Sequence, residues 1–286
     1  LTGTNTLTSH QFENYTANTL TISCPTINIA GKSQYVTRQT DANGMIVVDN
    51  SFSGNTDIWL QPYSGTVKFT SNASVSGNQG YFYPYNPGDD QAITLLVESG
   101  DVLPGWQETW NAVGDFRTTV AVGVAQNGMV PGVYFSSTGS EVHYTAMGDT
   151  DVTVEMGNLG NSIIRDKDSS DGTEKLIIGG NYDGGTGTLD LTMVGQAAAT
   201  HQRINASVEV LAGSKLNLDA DDHMIMMDNH LGPADFTVGG AGEVHVLDAA
   251  NEVQVRAGTL AADTVVESGG TLLVMGSGSV TADVTV

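Results

Sequence analysis

The sequence predicts an all-β protein that contains a right-handed parallel β-solenoid (β-helix). The first observation is a repeat of 20 residues near the end of the printed sequence, from Gly258 to Val286. Its matching positions are Gly258/Gly278, Leu260/Val280, Ala262/Ala282, Asp263/Asp283 and Val266/Val286. A period of this length is too short for a helical hairpin and suits one turn of a solenoid. We therefore expect Leu260 to stack on Val280, and Val266 on Val286.

The second observation is a looser form of the same unit upstream, in which two apolar residues flank a polar one. It occurs as Val208-Glu209-Val210, Leu216-Asn217-Leu218, Val244-His245-Val246 and Val253-Gln254-Val255. Alternate side chains of a strand point to opposite faces. We expect the apolar residues to face the interior, and Glu209, Asn217, His245 and Gln254 to face water. Glycines between the triplets would supply the positive φ of sharp corners.

The repeat also carries a family resemblance. Thr264-Val265-Val266, Gly269-Gly270 and Leu272-Leu273-Val274 follow one another in the last turns. This order resembles the passenger repeats of AIDA-type autotransporter adhesins, although Gly276-Ser277-Gly278 departs from their glycine pair. Residues 178 to 189 are similar to another autotransporter-associated strand repeat, but lack its middle threonine. The resemblance implies an extracellular protein, secreted or held at a bacterial cell surface, with an adhesive or structural role.

The first half of the chain differs in composition from the second. All three tryptophans lie before residue 111, and aromatic residues cluster between Tyr81 and Tyr85. We divide the chain into an aromatic-rich N-terminal β region, residues 1–150, which caps or decorates the solenoid, and solenoid repeats over residues 151–286. Asn43-Gly44 and Asn127-Gly128 are typical of type I′ hairpin turns. Such hairpins would make the N-terminal region either an antiparallel sheet or an irregular part of the solenoid.

The charge of the chain restricts its partners. It has 32 acidic and 10 basic residues, which gives a net charge of −22. This balance argues against nucleic acid, because phosphates need lysine and arginine. No apolar run of 18 residues is present, so the sequence predicts no membrane-spanning segment. The autotransporter resemblance implies a host or bacterial surface glycan or a surface protein as the partner, and a solenoid can also associate end to end with a second copy of the chain.

One acidic loop predicts a calcium site. Asp166, Asp168, Asp171 and Glu174 fall within nine residues that also contain Gly172. Calcium takes six to eight hard oxygen ligands, and a tight loop can supply several of them. The spacing is not that of an EF-hand. The alternative is a polar surface turn.

Solenoids also support polysaccharide-cleaving enzymes. Polygalacturonase-like enzymes carry four motifs in order, and this chain resembles them at Asn55-Thr56-Asp57, Asp89-Asp90 and Arg203-Ile204-Asn205. The Gly-His-Gly motif is missing, and the last motif lacks its lysine. We therefore predict a non-enzymatic surface protein, adhesive or structural. The alternatives are a glycan-processing β-helix enzyme, polygalacturonase-like or tailspike-like, and a filament or surface-layer subunit that assembles end to end.

Overall fold

The computed structural model describes nineteen segments of the chain. They are residues 7–8, 12–23, 26–28, 34–39, 41–49, 51–53, 58–60, 64–76, 80–82, 91–100, 116–126, 130–135, 139–157, 163–166, 173–194, 202–220, 224–229, 235–247 and 252–286. These residues form β-strands and no α-helix. Within them, accordingly, no helix has the length and apolar character needed to cross a bilayer.

The strands fall into five sheets. The long sheet contains β3 (Thr19–Ile22), β6 (Met45–Val48), β9 (Gly65–Phe69), β12 (Gln91–Val97), β13 (Phe116–Val122), β16 (Glu141–Ala146), β19 (Lys175–Asn181), β22 (Ser207–Val210), β25 (Thr237–Gly240), β28 (Thr259–Leu260) and β31 (Ser279–Val280). The seven-stranded sheet contains β14 (Val130–Pro131), β17 (Val152–Gly157), β20 (Leu189–Val194), β23 (Lys215–Asp219), β26 (Glu243–Val246), β29 (Asp263–Val266) and β32 (Val284–Thr285). The six-stranded sheet contains β15 (Val133–Phe135), β18 (Ile164–Asp166), β21 (Gln202–Ile204), β24 (Met224–Met227), β27 (Glu252–Val255) and β30 (Thr271–Val274).

In the first turns, two four-stranded sheets take the place of the seven-stranded and six-stranded sheets. One contains β1 (Leu7–Thr8), β4 (Thr26–Asn28), β7 (Ser51–Ser53) and β10 (Ser74–Ser76). The other contains β2 (Phe12–Asn14), β5 (Gln34–Gln39), β8 (Ile58–Leu60) and β11 (Gly80–Phe82).

Apart from the step from β12 to β13, which are consecutive described strands of the long sheet, the chain visits three sheets in rotation. Neighbouring strands of the long sheet, from β3 with β6 to β28 with β31, pair in parallel. The same holds in the other sheets. Parallel strands stacked in this order form a β-solenoid, which confirms the predicted fold. The right-handed sense of the coil stays a prediction.

The register of the last turns follows the repeat. Leu260 pairs with Val280, as predicted. In the seven-stranded sheet Thr264 pairs with Val284, and Val265 pairs with Thr285. Val266 and Val286 are the next residues along these two strands. Positions that match in the repeat therefore stack on one another.

The parallel stack starts well before residue 150. The long sheet begins with β3 and passes residue 150 without a change in pairing direction. Of the two arrangements expected for the first half, the parallel pairs favour the irregular solenoid. Whether residues 1–150 act as a separate capping region stays a prediction.

The hairpin predicted at Asn43-Gly44 is wrong. The amide of Gly44 donates to the carbonyl of Asp41 at 3.0 Å, and the amide of Asn43 donates to Oδ1 of Asp41 at 2.9 Å. Gly44 has no positive φ. Aspartate at the first position and glycine at the fourth suit a type I turn, which serves here as a corner between two sheets. Asn127-Gly128 lies outside the described residues.

A continuous apolar core fills the centre of the coil. Alternate strand residues are buried, as in the pattern of Leu189, Leu191 and Met193 on β20. Glu209, Asn217 and His245 face outward as predicted and are half-buried. Gln254 is an exception. It is buried, because its amide donates to Glu252 and its Oε1 accepts from Nε of Arg256 at 2.5 Å.

Basic side chains on the outside link one turn to another. Lys68 lies 2.7 Å from Glu98, Lys175 lies 2.8 Å from Glu209, and Arg203 lies 3.3 Å from Asp228. In each pair the two residues belong to different turns. The two lysine pairs are partly exposed, and such pairs stabilise a fold by only about 0–1 kcal/mol each, whereas the Arg203–Asp228 pair is nearly buried. They act mainly as guides to register, since like charges directly opposite one another would repel.

The register generates a first prediction. Leu260→Ala should lower the free energy of unfolding by about 2–4 kcal/mol, because Leu260 is fully buried between turns and truncation leaves a cavity. Leu273→Ala, in the last turn on the outward face, should change it by less than about 1 kcal/mol. Urea unfolding monitored by circular dichroism measures both. Equal losses for the two variants would contradict the assigned register.

Candidate functional site

A dense network of hydrogen bonds joins two loops at a corner between the long sheet and the seven-stranded sheet. In one turn the corner connects β16 to β17 through residues 147–151. In the next turn it connects β19 to β20 through residues 182–188. We call these two loops, together with Asn181, the Tyr182 corner. Its two layers lie directly on one another, since Val152 pairs with Leu189 just beyond them.

Three aspartates join the two layers. Oδ1 of Asp183 accepts from the amide of Gly148 at 3.0 Å and from the amide of Gly185 at 3.3 Å. Oδ1 of Asp149 accepts from the amide of Thr186 at 3.0 Å. Oδ1 of Asp151 accepts from the amide and the hydroxyl of Thr188 at 3.0 and 2.9 Å. These contacts hold the two loops against one another.

Glycine is required where the layers touch. A Cβ on Gly185 would lie 2.1 Å from the carbonyl oxygen of Gly148, and one on Gly187 would lie 2.3 Å from that of Thr150. No side chain fits at such distances without a shift of the backbone. Nδ2 of Asn181 completes the contact by donating to the carbonyls of Gly148 at 2.8 Å and Gly187 at 3.0 Å.

The electrostatics of the corner follow from these hydrogen bonds. The backbone amide of Gly148 lowers the pKa of Asp183, and the backbone amide of Thr188 lowers the pKa of Asp151. Both carboxylates are therefore held in the charged form. Asp190 on β20 differs, because burial raises its pKa. The corner thus presents fixed negative charge to solvent.

Tyr182 lies at the outer edge of this network. Its amide donates to the carbonyl of Ala146 at 2.8 Å, while its side chain remains 46% exposed. The corner therefore combines a rigid backbone, an exposed aromatic ring and carboxylates with free acceptor capacity. Such a set can stack on an apolar ring face and accept hydrogen bonds from the hydroxyl groups around it.

The residues predicted to bind calcium are only partly described. Asp168 and Asp171 lie outside the described residues, and Asp166 is the last residue of β18. Glu174 is buried, and its Oε1 accepts from the amide of Gly139 at 3.2 Å. Its Oε2 has no hydrogen-bond partner among the described residues. Among all residues that the structure describes, no three acidic, histidine or cysteine residues form a group that could hold a metal ion.

The polysaccharide-cleaving motifs are not brought together by any described contact. Asn55-Thr56-Asp57 and Asp89-Asp90 lie outside the described residues. Arg203 forms its ion pair with Asp228, and Asn205 is buried at the following corner. For the aromatic cluster of residues 81–85, only the backbone of Tyr81 and Phe82 is described, as part of β11.

Sequence reasoning missed the aspartate network, although a signal was present. Asp149 and Asp151 stand two residues apart, and their partners Thr186 and Thr188 stand at the same spacing, with an offset of 37 residues in both cases. This offset is longer than the repeat of the last turns, and it could have been read as the length of an earlier turn.

Comparison with models of protein families, with curated proteins and with solved structures gave no match.

The charged corner generates a prediction about pH. The folded-state pKa of Asp183 is lowered, so its stabilising contribution is present at neutral pH and is lost as the pH falls through that lowered value. Asp183→Asn keeps an oxygen acceptor but removes the charge. Wild type should therefore be more stable than this variant at neutral pH and equally stable in strong acid. Thermal melting across the acid range measures the difference, and a gap that does not depend on pH would count against a role for the charge.

The calcium site remains a prediction, and the half-satisfied carboxylate of Glu174 gives it a test. A cation that binds the native chain raises the melting temperature, because only the folded state gains the binding energy. Millimolar calcium should raise the melting temperature of wild type relative to chelator, and Glu174→Gln should remove the effect. Glu155→Gln, on the exposed face of β17, is the control. An unchanged melting temperature in wild type would reject calcium.

Proposed function

We propose that this chain is a non-enzymatic extracellular surface protein whose solenoid serves as a rigid adhesive rod. The observation that carries the proposal is the long sheet, which runs through the described chain from β3 to β31 in parallel pairs. With about 4.8 Å between neighbouring strands, its eleven strands extend over about 50 Å. A stack in which each turn contacts only its neighbours gains length without changing its cross-section.

The surface of the rod, like its length, supports an adhesive role. Most outward positions are polar or charged, and the net charge of −22 opposes nonspecific association of the rod surfaces. The resemblance of the last turns to autotransporter passengers supports the same location, at or beyond a bacterial cell surface. The proposed partners are surface glycans or surface proteins of a host or of bacteria.

The Tyr182 corner is the proposed contact surface for a glycan. Its network fixes the backbone before any ligand arrives, so that little conformational entropy is lost on binding. Tyr182 offers a ring face, and the carboxylates of Asp149 and Asp183 are acceptors for sugar hydroxyls. Because these carboxylates are charged, the corner favours neutral sugars over sulfated or acidic ones.

Adhesion to neutral polysaccharide tests this contact surface. Beads coated with the chain should be retained on wells coated with neutral surface polysaccharide, and Tyr182→Ala should reduce retention by several-fold because the stacking face is lost. Retention is counted under a fixed shear flow.

Tyr15→Ala is the matched control, since Tyr15 is also exposed, at 57%, but lies near the first turn of the long sheet. Its retention should equal that of wild type. The polysaccharide should release no reducing ends during the assay, and release would favour the enzymatic alternative. Equal retention of the two variants would show that the Tyr182 corner is not the contact surface. If wild type is retained only at background level on all surfaces, a structural role alone remains.

A second candidate, a filament or surface-layer subunit, is favoured by the last turn described. Positions that are buried in the preceding turn remain exposed there, including Val274 at 53% and Val284 at 43%. A further turn of the same repeat would cover them, whichever polypeptide supplies it. The unpaired edge of such a turn is a template for strand addition.

End-to-end assembly gives a concentration-dependent result. The 286-residue chain should form particles longer than one rod as its concentration rises, and Val274→Lys should shift them back to single rods. Electron microscopy and light scattering measure particle length and mass. Single rods at all concentrations would reject this candidate and leave the adhesive proposal untouched.

A further inference from the structure

One histidine on the seven-stranded sheet contacts two carboxylates. His245 points outward from β26, with 12% of its side chain exposed. Its Nε2 lies 3.0 Å from Oε2 of Glu243 on the same strand. Its Nδ1 lies 3.1 Å from Oε1 of Glu267, which follows β29 in the next turn. The ring thus bridges two successive turns.

The chemistry of imidazole restricts when both contacts can be hydrogen bonds. A neutral imidazole has one N–H group, and its other nitrogen is an acceptor. An ionised carboxylate can only accept. Both contacts are therefore donor–acceptor pairs only when the ring carries two protons, whereas the neutral ring sets a lone pair against one of the carboxylates.

We propose that Glu243, His245 and Glu267 form a proton-dependent clasp that closes the turn of β29 onto the turn of β26. The doubly protonated ring ties both carboxylates, and loss of a proton releases one of them. Glu267 is the contact between turns, so its release loosens the outer side of the turns that contain β26 and β29. The device makes this end of the rod more tightly packed in mildly acidic surroundings than in alkaline ones.

The other groups around the ring are mostly acidic. Asn217 on β23 and Val265 on β29 are its register partners, and neither can titrate. The charged outward residues of the neighbouring strands are Asp190 on β20, Lys215 and Asp219 on β23, and Asp263 on β29. These four groups are three carboxylates and one lysine.

The state of Glu243 supports the same assignment. The hydrogen bond from His245 lowers the pKa of Glu243. This carboxylate therefore stays ionised to lower pH than an ordinary glutamate. The clasp has a window in which one ring cation meets two carboxylate anions.

The backbone offers a local reporter. The amide of Glu267 donates to the carbonyl of Val246 at 2.9 Å, directly beside the clasp. If the side chain of Glu267 is released, this bond opens more often, and the amide exchange rate rises with pH by more than the intrinsic exchange rate does.

The experiment compares wild type with His245→Gln, which keeps a donor and an acceptor but cannot take a second proton. Melting temperature and hydrogen exchange at Glu267 are measured at about pH 5.5 and about pH 8, on either side of the ordinary titration range of histidine. Wild type should melt several degrees above the variant at the lower pH, and the gap should close at the higher one. Protection at Glu267 should fall several-fold with pH in wild type only.

His143→Gln is the control, because Nε2 of His143 contacts the carbonyl of Gly179 at 2.8 Å, a bond that the neutral ring can donate. Its effect should be the same at both pH values. Glu267→Gln keeps His245 and should also remove the pH dependence, which serves if His245→Gln fails to fold. A gap between wild type and both clasp variants that is constant with pH would overturn the proposal.

Discussion

Each turn of this chain is held on the one before it by parallel backbone hydrogen bonds, and that ladder decides where every side chain lies. Because the turns repeat in register, a residue faces the core, the solvent or a corner according to its place in the turn. The stacked pair Leu260 and Val280 shows the rule for the core. The pair Lys175 and Glu209 shows it for the surface, where opposite charges of neighbouring turns meet. The core, the ion pairs between turns and the corners all depend on this one register.

At the corners the backbone ladder is interrupted, and side chains form the hydrogen bonds between turns. At the Tyr182 corner, aspartate oxygens accept the amide hydrogens that no strand partner reaches, and Gly185 and Gly187 let two backbones approach closely. Most described basic residues form ion pairs between turns, such as Lys68 with Glu98. The acidic excess is left unneutralised at the corner and along the seven-stranded sheet. A rigid, acidic and aromatic corner on an otherwise regular rod is the physical basis of the proposed adhesive role.

The sequence was most informative where the turns are regular. The 20-residue repeat predicted the stacking of Leu260 on Val280, because a strict period leaves only one register. It was less informative where the same short sequence is compatible with two conformations. Asn43-Gly44 suits a hairpin, yet Asp41 turns the same residues into a corner between sheets. Gln254 has an outward position in its triplet, but Glu252 and Arg256 cover it. The aspartate network of the Tyr182 corner joins residues of different turns, so that no local pattern announces it.

The central claim is the register between turns, and a designed disulfide tests it most directly. The hydroxyl oxygens of Thr259 and Ser279 lie 2.9 Å apart in adjacent turns. Neighbouring strands stand about 4.8 Å apart, within the Cα range that a disulfide spans. In a Cys24→Ser background, T259C with S279C should oxidise completely and should raise the melting temperature, whereas T259C with S277C should stay reduced. Efficient oxidation of the second pair, or of neither, would contradict the account.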